Sequence, residues 1–234
     1  MRLDDLKIIV PIRNEAHNIA HFIQSIPQEV KLIIIDSGED ESSEIACRLR
    51  SGSTLVYKSE LRIAPARHFG AEMASTSWLL FTDADIQFSE NYFTILQDLP
   101  VYDAFYGPKL SHNEFKSYYA SIAFWQGVAY FFHIPAVSGS NFIVRRSAYN
   151  ASGGFDSELL VNEDSELGWR LPRHGYRVKF ISQLIVYAWD HRRLRRGVVR
   201  KTFHSILRCT LLYLNLMPRR WRVSYWGYWK PVFK

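Results

Sequence analysis

Asp83-Ala84-Asp85 follows the apolar run WLLFT and sets two carboxylates one residue apart. If that run is a strand that stays extended to its end, residues two apart face the same way. The two acids can then share one cation. Carboxylate oxygens suit the hard ions Mg2+ and Mn2+, which commonly keep substrate phosphates among their ligands. The plainer reading is a pair of exposed turn acids. The position after a buried strand favours the ligand site, because open α/β sheets bind ligands outside the carboxyl ends of their strands. Asp36 stands in the same relation to the run KLIII and opens the turn Ser37-Gly38-Glu39-Asp40-Glu41-Ser42. A carboxylate there accepts hydrogen bonds from a nucleobase or ribose, or it caps the next helix. Pro11-Ile12-Arg13-Asn14-Glu15 leaves the first apolar run. A helix N-terminus after it can face an anion or a base, or the segment is a simple connector. Farther on, Gly153-Gly154-Phe155-Asp156 precedes Asn162-Glu163-Asp164, a pair of acids at a helix start. Such acids stabilise a helix through its dipole alone. The chemical reading is a general base at the mouth of the sheet.

These groups need a scaffold, and the hydrophobic pattern predicts one. Short apolar runs at residues 6–11, 31–36, 54–57 and 78–82 read as buried strands. Between them lie helical patterns: one capped by Asn14 and carrying Ile19, Phe22, Ile23 and Ile26, then 42–50 and 66–74. Strands that alternate with helices, each strand nearly all apolar, mean an α/β fold with a largely parallel sheet. After Asp85 the rhythm changes to a short helix at 92–99, a strand at 102–107 and a long aromatic helix at 115–132. A strand at 141–145, a helix at 163–174, a strand at 177–182 and a final helix at 197–217 complete the expectation.

With 234 residues the chain forms one large domain, or one domain with an appendage. Hydrophobic residues at 47% and charged residues at 22% exclude a disordered protein. Two cysteines, Cys47 and Cys209, exclude a disulfide scaffold and a multi-cysteine zinc module, and read as reduced thiols. The net charge of +6 is uneven: residues 1–190 carry 17 Lys and Arg against 23 acids, whereas 191–234 carry 12 Lys and Arg and no acid. An acidic body with a basic tail predicts a polyanionic contact made by the tail. No secretory signal is expected, since acids stand where basic residues should open the chain, and the sequon Asn150-Ala151-Ser152 then carries no meaning. Residues 117–144 lack Asp, Glu, Lys and Arg, yet Gln126, Gly127, His133, Pro135 and the run Ser138-Gly139-Ser140-Asn141 interrupt them. That favours a buried or interfacial helix over a membrane span. In the last helix Phe203, Ile206, Leu207, Leu211 and Leu214 form a wide apolar face, and Lys201, His204, Arg208 and Asn215 a narrow polar stripe. Trp221, Tyr225, Trp226, Tyr228 and Trp229 cluster behind it. Basic and aromatic residues around an apolar face predict a helix lying on an anionic membrane surface, with core or oligomer packing as the alternative.

Taken in order, these motifs resemble the family 2 glycosyltransferases of GT-A fold over residues 6–197. Pro11 to Glu15 matches the family's opening motif, and Asp36-Ser37-Gly38 its acidic turn. Ala66-Arg67-His68-Phe69-Gly70 resembles the alanine–arginine–asparagine–x–glycine motif, and Asp83-Ala84-Asp85 is similar to the DxD. Ser138 to Asn141 with FIVRR resembles the acceptor-side segment, Gly153 to Asp164 the Gly-Gly-Phe and Glu-Asp pair, and His191-Arg192-Arg193 a histidine after the last core strand. His68 replaces the usual asparagine, Ser37 a frequent second aspartate and Glu41 a later aspartate of that turn. The Gln-x-x-Arg-Trp motif of processive synthases is absent from the sequence.

The resemblance implies a mainly parallel, Rossmann-like sheet flanked by helices, with a catalytic domain at 1–197 and a basic aromatic amphipathic extension at 198–234. Within the domain, residues 1–100 would form the nucleotide-binding half and 101–197 the acceptor half. It implies sugar transfer, with inversion, from a nucleotide diphosphate sugar to a hydroxyl of a lipid-linked or cell-envelope glycan, assisted by Mn2+ or Mg2+. Pro11, Arg13, Glu15, Asp36, Arg67, Asp83 and Ala84 would bind the donor, with Asp83 on ribose or metal-bound water. Asp85 and His191 would bind the metal, Gly139, Ser140 and Glu163 would line the acceptor side, and Asp164 would be the base. The expected location is cytoplasmic, peripheral at the inner face of the plasma membrane, with no nucleic-acid partner. Two other classes remain as expectations to discriminate. A nucleotidyltransferase needs a Gly-rich loop where PIRNEAHN stands, and an inactive binding module should have lost the DxD or the Glu-Asp pair.

Overall fold

The computed structural model of the chain describes residues 1–224. Its N-terminal half is built from β1 (Leu6–Ile12), α1 (Ile19–Gln24), β2 (Lys31–Asp36), α2 (Ser42–Leu49), β3 (Thr54–Lys58), α3 (Ile63–Met73) and β4 (Trp78–Thr82). β1 pairs in parallel with both β2 and β4, and β2 with β3. The runs of β1, β2 and β4 form strands here because both faces of each are covered, while β3 lies at the sheet edge with Leu55 exposed. Leu6, Ile8 and Val10 pack on one side of the sheet with Leu32, Ile34 and Leu80, whereas Ile9 packs on the other with Ile33, Ile35, Leu79 and Phe81. Successive side chains of a strand point to opposite faces, so a doubly covered strand reads as an unbroken apolar run. Each such Ile or Leu contributes about 1.5–3 kcal/mol by leaving water.

The second half adds β5 (Ile86–Phe88), α4 (Tyr92–Gln97), β6 (Ala104–Tyr106), β7 (Lys109–Leu110), α5 (Lys116–Phe131), β8 (Asn141–Arg145), α6 (Arg146–Ala151), α7 (Glu163–Arg173), β9 (Val178–Phe180), β10 (Val186–Ala188), α8 (Arg192–Arg195), α9 (Val198–Tyr213) and α10 (Arg219–Arg222). The main sheet has seven strands in the order β3-β2-β1-β4-β8-β6-β9, with β8 antiparallel to both neighbours. A small sheet, β5-β10-β7, stands beside it. From β1 the chain winds first toward β3 and then back to β4, which makes the gap between β1 and β4 the switch point where ligands bind in open α/β sheets. β1 runs past its partner there: Leu6–Ile9 pair with β4, but the residues that follow pair with β2 alone. Pro11, which has no N–H to offer, sits in the stretch left unpaired on the β4 side.

The structure moves several expected boundaries. The helix expected from Asn14 starts at Ile19, because Asn14 takes a left-handed conformation (φ 55°) and its Oδ1 accepts a hydrogen bond from the Glu39 amide at 3.0 Å. The final helix stops at Tyr213 rather than 217, because Asn215 turns left-handed at φ 56°. The strand expected at 102–107 is confined to Ala104–Tyr106. β5, β7 and β10 hold two or three residues each, too few for a period to mark them.

α9 is continuous with the body. Leu212 and Met217 pack with Leu159 and Trp169 in a small apolar cluster. Arg208, of the polar stripe, is fully buried at 0% exposure, whereas Phe203 and Ile206 of the apolar face stand 63% and 62% exposed. Tyr225, Trp226, Tyr228 and Trp229 of the expected aromatic cluster lie outside the described residues. No helix among the described residues is long and apolar enough to cross a membrane.

Candidate active site

At the end of β4 the chain splits three successive residues. Ala84 turns inward and is buried, leaving Asp83 and Asp85 on the open side. Their carboxylates take different partners. Asp83 Oδ1 accepts from Arg67 Nη2 at 2.7 Å and its Oδ2 from Ser140 Oγ at 2.6 Å. Asp85 Oδ1 accepts from Lys109 Nζ at 3.2 Å, and its carbonyl accepts from the Trp189 amide at 2.8 Å.

Arg67, on the buried side of α3, is the hub. Its Nη1 donates to Glu163 Oε1 at 2.6 Å, and its Nη2 also donates to the Gly139 carbonyl at 3.0 Å. Burial works against its charge, but Asp83, Glu163 and Asp164 together outweigh that and raise its pKa further. Gly139 leaves room for the guanidinium where it stands: a Cβ there would collide with it and displace Arg67. The Gly139 amide in turn donates to Asp164 Oδ2. The other Asp164 oxygen accepts from the Ser165 amide at 2.7 Å, at the first turn of α7. One connected network therefore runs from the first acid of the DxD, through Arg67, Gly139 and Ser140, to both acids of the second pair. Within that pair, burial first and the neighbouring Asp164 second push Glu163 up to about 7.

His191 is buried just beyond β10, between Ser111 Oγ at 3.3 Å from Nε2 and Tyr119 Oη at 3.3 Å from Nδ1. Burial lowers its pKa, which favours the neutral imidazole that ligates metals. The described residues hold no cluster of three His, Cys, Asp or Glu able to bind a metal by themselves. Asp85 and His191 would supply one carboxylate and one imidazole, a partial set that suits an ion keeping diphosphate oxygens and water as its other ligands.

On the β1 side Glu15 accepts from Arg192 at 2.7 Å and from Asn18 at 2.6 Å, and burial raises its pKa. Arg13 is exposed beside it. Asp36 belongs to a separate group. Its carboxylate is buried and accepts from the Gly38 amide at 2.7 Å, from Lys58 Nζ at 2.7 Å and from Ser43 Oγ. Sequence reasoning missed Lys109 and Tyr119. Lys109 had one signal, its place in a Gly-Pro-Lys step after an apolar strand, but nothing in the pattern aims it at Asp85. Ser140 was expected on the acceptor side and here also touches Asp83.

A mainly parallel sheet with acids gathered at the β1/β4 switch point, and a second acid pair tied to them by an arginine, has the architecture of the GT-A glycosyltransferases. The chain belongs to glycosyl transferase family 2, whose model matches residues 7–153, and the model of glycosyl transferase family group 2 matches 100–232. It is similar to the pre-mycofactocin glycosyltransferase of Mycobacterium tuberculosis, at 24% identity over 226 residues that cover 86% of this chain and 46% of that protein. It is also similar to the succinoglycan biosynthesis protein ExoA of Rhizobium meliloti, at 24% identity over 206 residues covering 73% and 59%. The chain thus spans about half the length of these curated relatives. Among solved structures it is similar to the mannosyltransferase PcManGT of Pyrobaculum calidifontis, determined with GDP-Man and Mn2+, and to residues 1–349 of TarS from S. aureus. Each has a TM-score of 0.63 and 17% identity, and each match covers 94% of this chain and 72% of the other.

Proposed function

We propose that the protein transfers a sugar, with inversion, from a nucleotide diphosphate sugar to a hydroxyl of a lipid-linked or cell-envelope glycan. The observation that carries this reading is the Arg67 network, which fixes the DxD acid Asp83 and the acids Glu163 and Asp164 in one frame. The transition state has oxocarbenium character at the anomeric carbon. The acceptor oxygen attacks that carbon as the bond to the diphosphate breaks, and the electron pair leaves with the β-phosphate oxygen.

Asp164 would take the acceptor proton. It is the more open acid of its pair, and two backbone amides orient it. Glu163, buried on Arg67, would hold the guanidinium in place. A single carboxylate in the base role implies one displacement and hence inversion. A divalent cation held by Asp85 and His191 would supply Lewis-acid neutralisation of the departing diphosphate; PcManGT, solved with Mn2+, supports this expectation. Asp83 would meet the ribose, with Ala84 fixing the turn. Pro11, Arg13 and Glu15 would border the nucleotide at the end of β1. Asp36, whose carboxylate is engaged within the protein, would shape the base pocket by holding the 37–41 turn.

The lipid-linked class of acceptor is favoured by the outer surface. Phe124, Trp125, Phe131 and Phe132 of the α5 region are exposed, as are Phe203 and Ile206 of α9, within a chain whose last 44 residues carry twelve basic groups and no acid. Such a face complements an anionic lipid surface. A thermal-shift screen of nucleotide sugars with Mn2+, followed by product analysis with the best donor, tests the reading. Asp164→Asn should keep donor binding and lose about 10²–10⁴-fold in transfer rate. Near-normal turnover by that variant with the acceptor found would remove Asp164 from the mechanism.

A further inference from the structure

The three strands of the small sheet each deliver one group to the same place. β5 begins directly after Asp85, β7 begins with Lys109, and β10 leads to Trp189, whose amide pins the Asp85 carbonyl, and then to His191. β10 joins the other two, antiparallel to β5 and parallel to β7, with Val186 opposite Lys109. The backbone just before Lys109 has little freedom. A Cβ on Gly107 would lie 2.0 Å from the Leu184 carbonyl, and the Pro108 carbonyl accepts from the Val186 amide at 3.1 Å. The side chain is aimed in consequence, and its ammonium lies 3.2 Å from Asp85 Oδ1 and 3.5 Å from Ser140 Oγ, with 19% of the side chain exposed. Ser140 is also the residue that donates to Asp83. Lys109 therefore meets the second acid of the DxD directly and is linked to the first through Ser140.

Resting on the donor reading above, we propose that Lys109 is a catalytic residue of the transfer: its ammonium contacts the donor's diphosphate and stabilises the charge that develops as the anomeric C–O bond breaks. In that step the acceptor oxygen forms the new bond to the anomeric carbon, its proton passes to Asp164, and the electron pair of the broken bond stays on the β-phosphate. The leaving group gains one negative charge, and a fixed cation that needs no reorganisation is the efficient partner for it. Of the three N–H groups of the ammonium, Asp85 and Ser140 account for two among the described residues. The protein thus brings a positive charge of its own to the acid that would also hold the metal. Nucleoside diphosphate binding should persist, weakened, when the divalent cation is removed.

The test is calorimetric titration of the full chain with UDP and with GDP, in Mn2+ and in EDTA. It compares the wild type with Lys109→Met, Lys109→Gln and Lys109→Arg, each with a melting curve to confirm folding. The wild type should bind one of the nucleotides in both conditions. Lys109→Met and Lys109→Gln should weaken binding at least tenfold in EDTA and less in Mn2+, and Lys109→Arg should restore most of it. Equal binding of wild type and both neutral variants in EDTA overturns the proposal, as does binding by the wild type only when Mn2+ is present. Tighter Mn2+-dependent binding by Lys109→Met would also overturn it, by showing that the lysine competes with the cation for Asp85. If neither nucleotide binds the wild type even with Mn2+, the donor reading itself fails, and this assignment falls with it.

Discussion

Glu163 and Asp164 are neighbours in sequence with opposite surroundings. Glu163 is sealed against Arg67 and raised from 4.5 to about 7, chiefly by burial and then by Asp164. The native state therefore retains a proton that the unfolded chain has released, so rising pH costs stability across the window from 4.5 to 7 and costs no more above it. Glu163→Gln is neutral throughout and should lack that fall. Melting temperatures of the two proteins between pH 4.5 and 8 should converge or cross, with the wild type losing ground as pH rises. Parallel curves would mean that the folded protein does not raise the pKa of this carboxyl. Gly139 gives a second prediction. Gly139→Ala would put a methyl group 2.2 Å from Arg67 Nη1, so the guanidinium must move off Asp83 and Glu163. Transfer should drop by about 10²-fold or more, as a misplacement of about 1 Å does elsewhere, and steady-state kinetics beside Arg67→Ala would check it. The acids were legible in the sequence because their chemistry is unusual where they stand. Lys109 was not, because a lysine next to a proline looks like any surface residue until the fold turns it toward Asp85.

At the scale of elements, the large sheet was readable and the small one was not, and length explains both. Runs such as KIIV and LIII are long enough to show that both faces are covered. A strand of two residues shows nothing. α9 teaches a different lesson. Its helical period was legible, but a period does not say which side meets the body. Arg208, one of the polar stripe, is the residue turned inward: it is buried and reaches Asn162 Oδ1 at 3.4 Å, while Cys209 Sγ accepts from Asn162 Nδ2 at 3.3 Å. Asn162 adopts a left-handed conformation (φ 65°) immediately before the acid pair. α9 therefore holds the residue that launches α7. Asn162→Gly keeps that backbone conformation and removes the tether. It should cost about 1 kcal/mol of stability, as a lost hydrogen bond typically does, and lower kcat roughly tenfold, less than a full 1 Å misplacement costs, with the donor KM unchanged. An unaltered kcat, measured with the melting curve in hand, would make the contact purely structural.

For the molecule as a whole, the basic C-terminal segment includes one helix, α9, that faces two ways. Its inner side is part of the catalytic frame, so cutting the chain at 197 would remove Arg208 and Leu212 from beneath the acid pair and damage more than a surface. The proposed lipid contact is better tested on its outer side. Phe203→Glu with Ile206→Glu replaces two exposed apolar groups and should leave folding intact. Flotation with vesicles of graded anionic lipid should carry the wild type, fall with added salt, and be lost by the double variant. Each basic group near such a surface contributes about 1 kcal/mol, which salt screens within about 10 Å at 0.1 M. Flotation unaffected by salt, or equal for both proteins, would assign this face to another role.

On the proposed lipid-surface reading, the exposed aromatic residues of α5 and the outer side of α9 also decide how concentration should be counted. An enzyme lying on a leaflet meets a lipid-borne acceptor in two dimensions, so the quantity that sets its rate is the acceptor's mole fraction in the surface. Adding inert anionic lipid at constant total acceptor should then slow the reaction, whereas diluting the whole suspension should scarcely change it once the enzyme is bound.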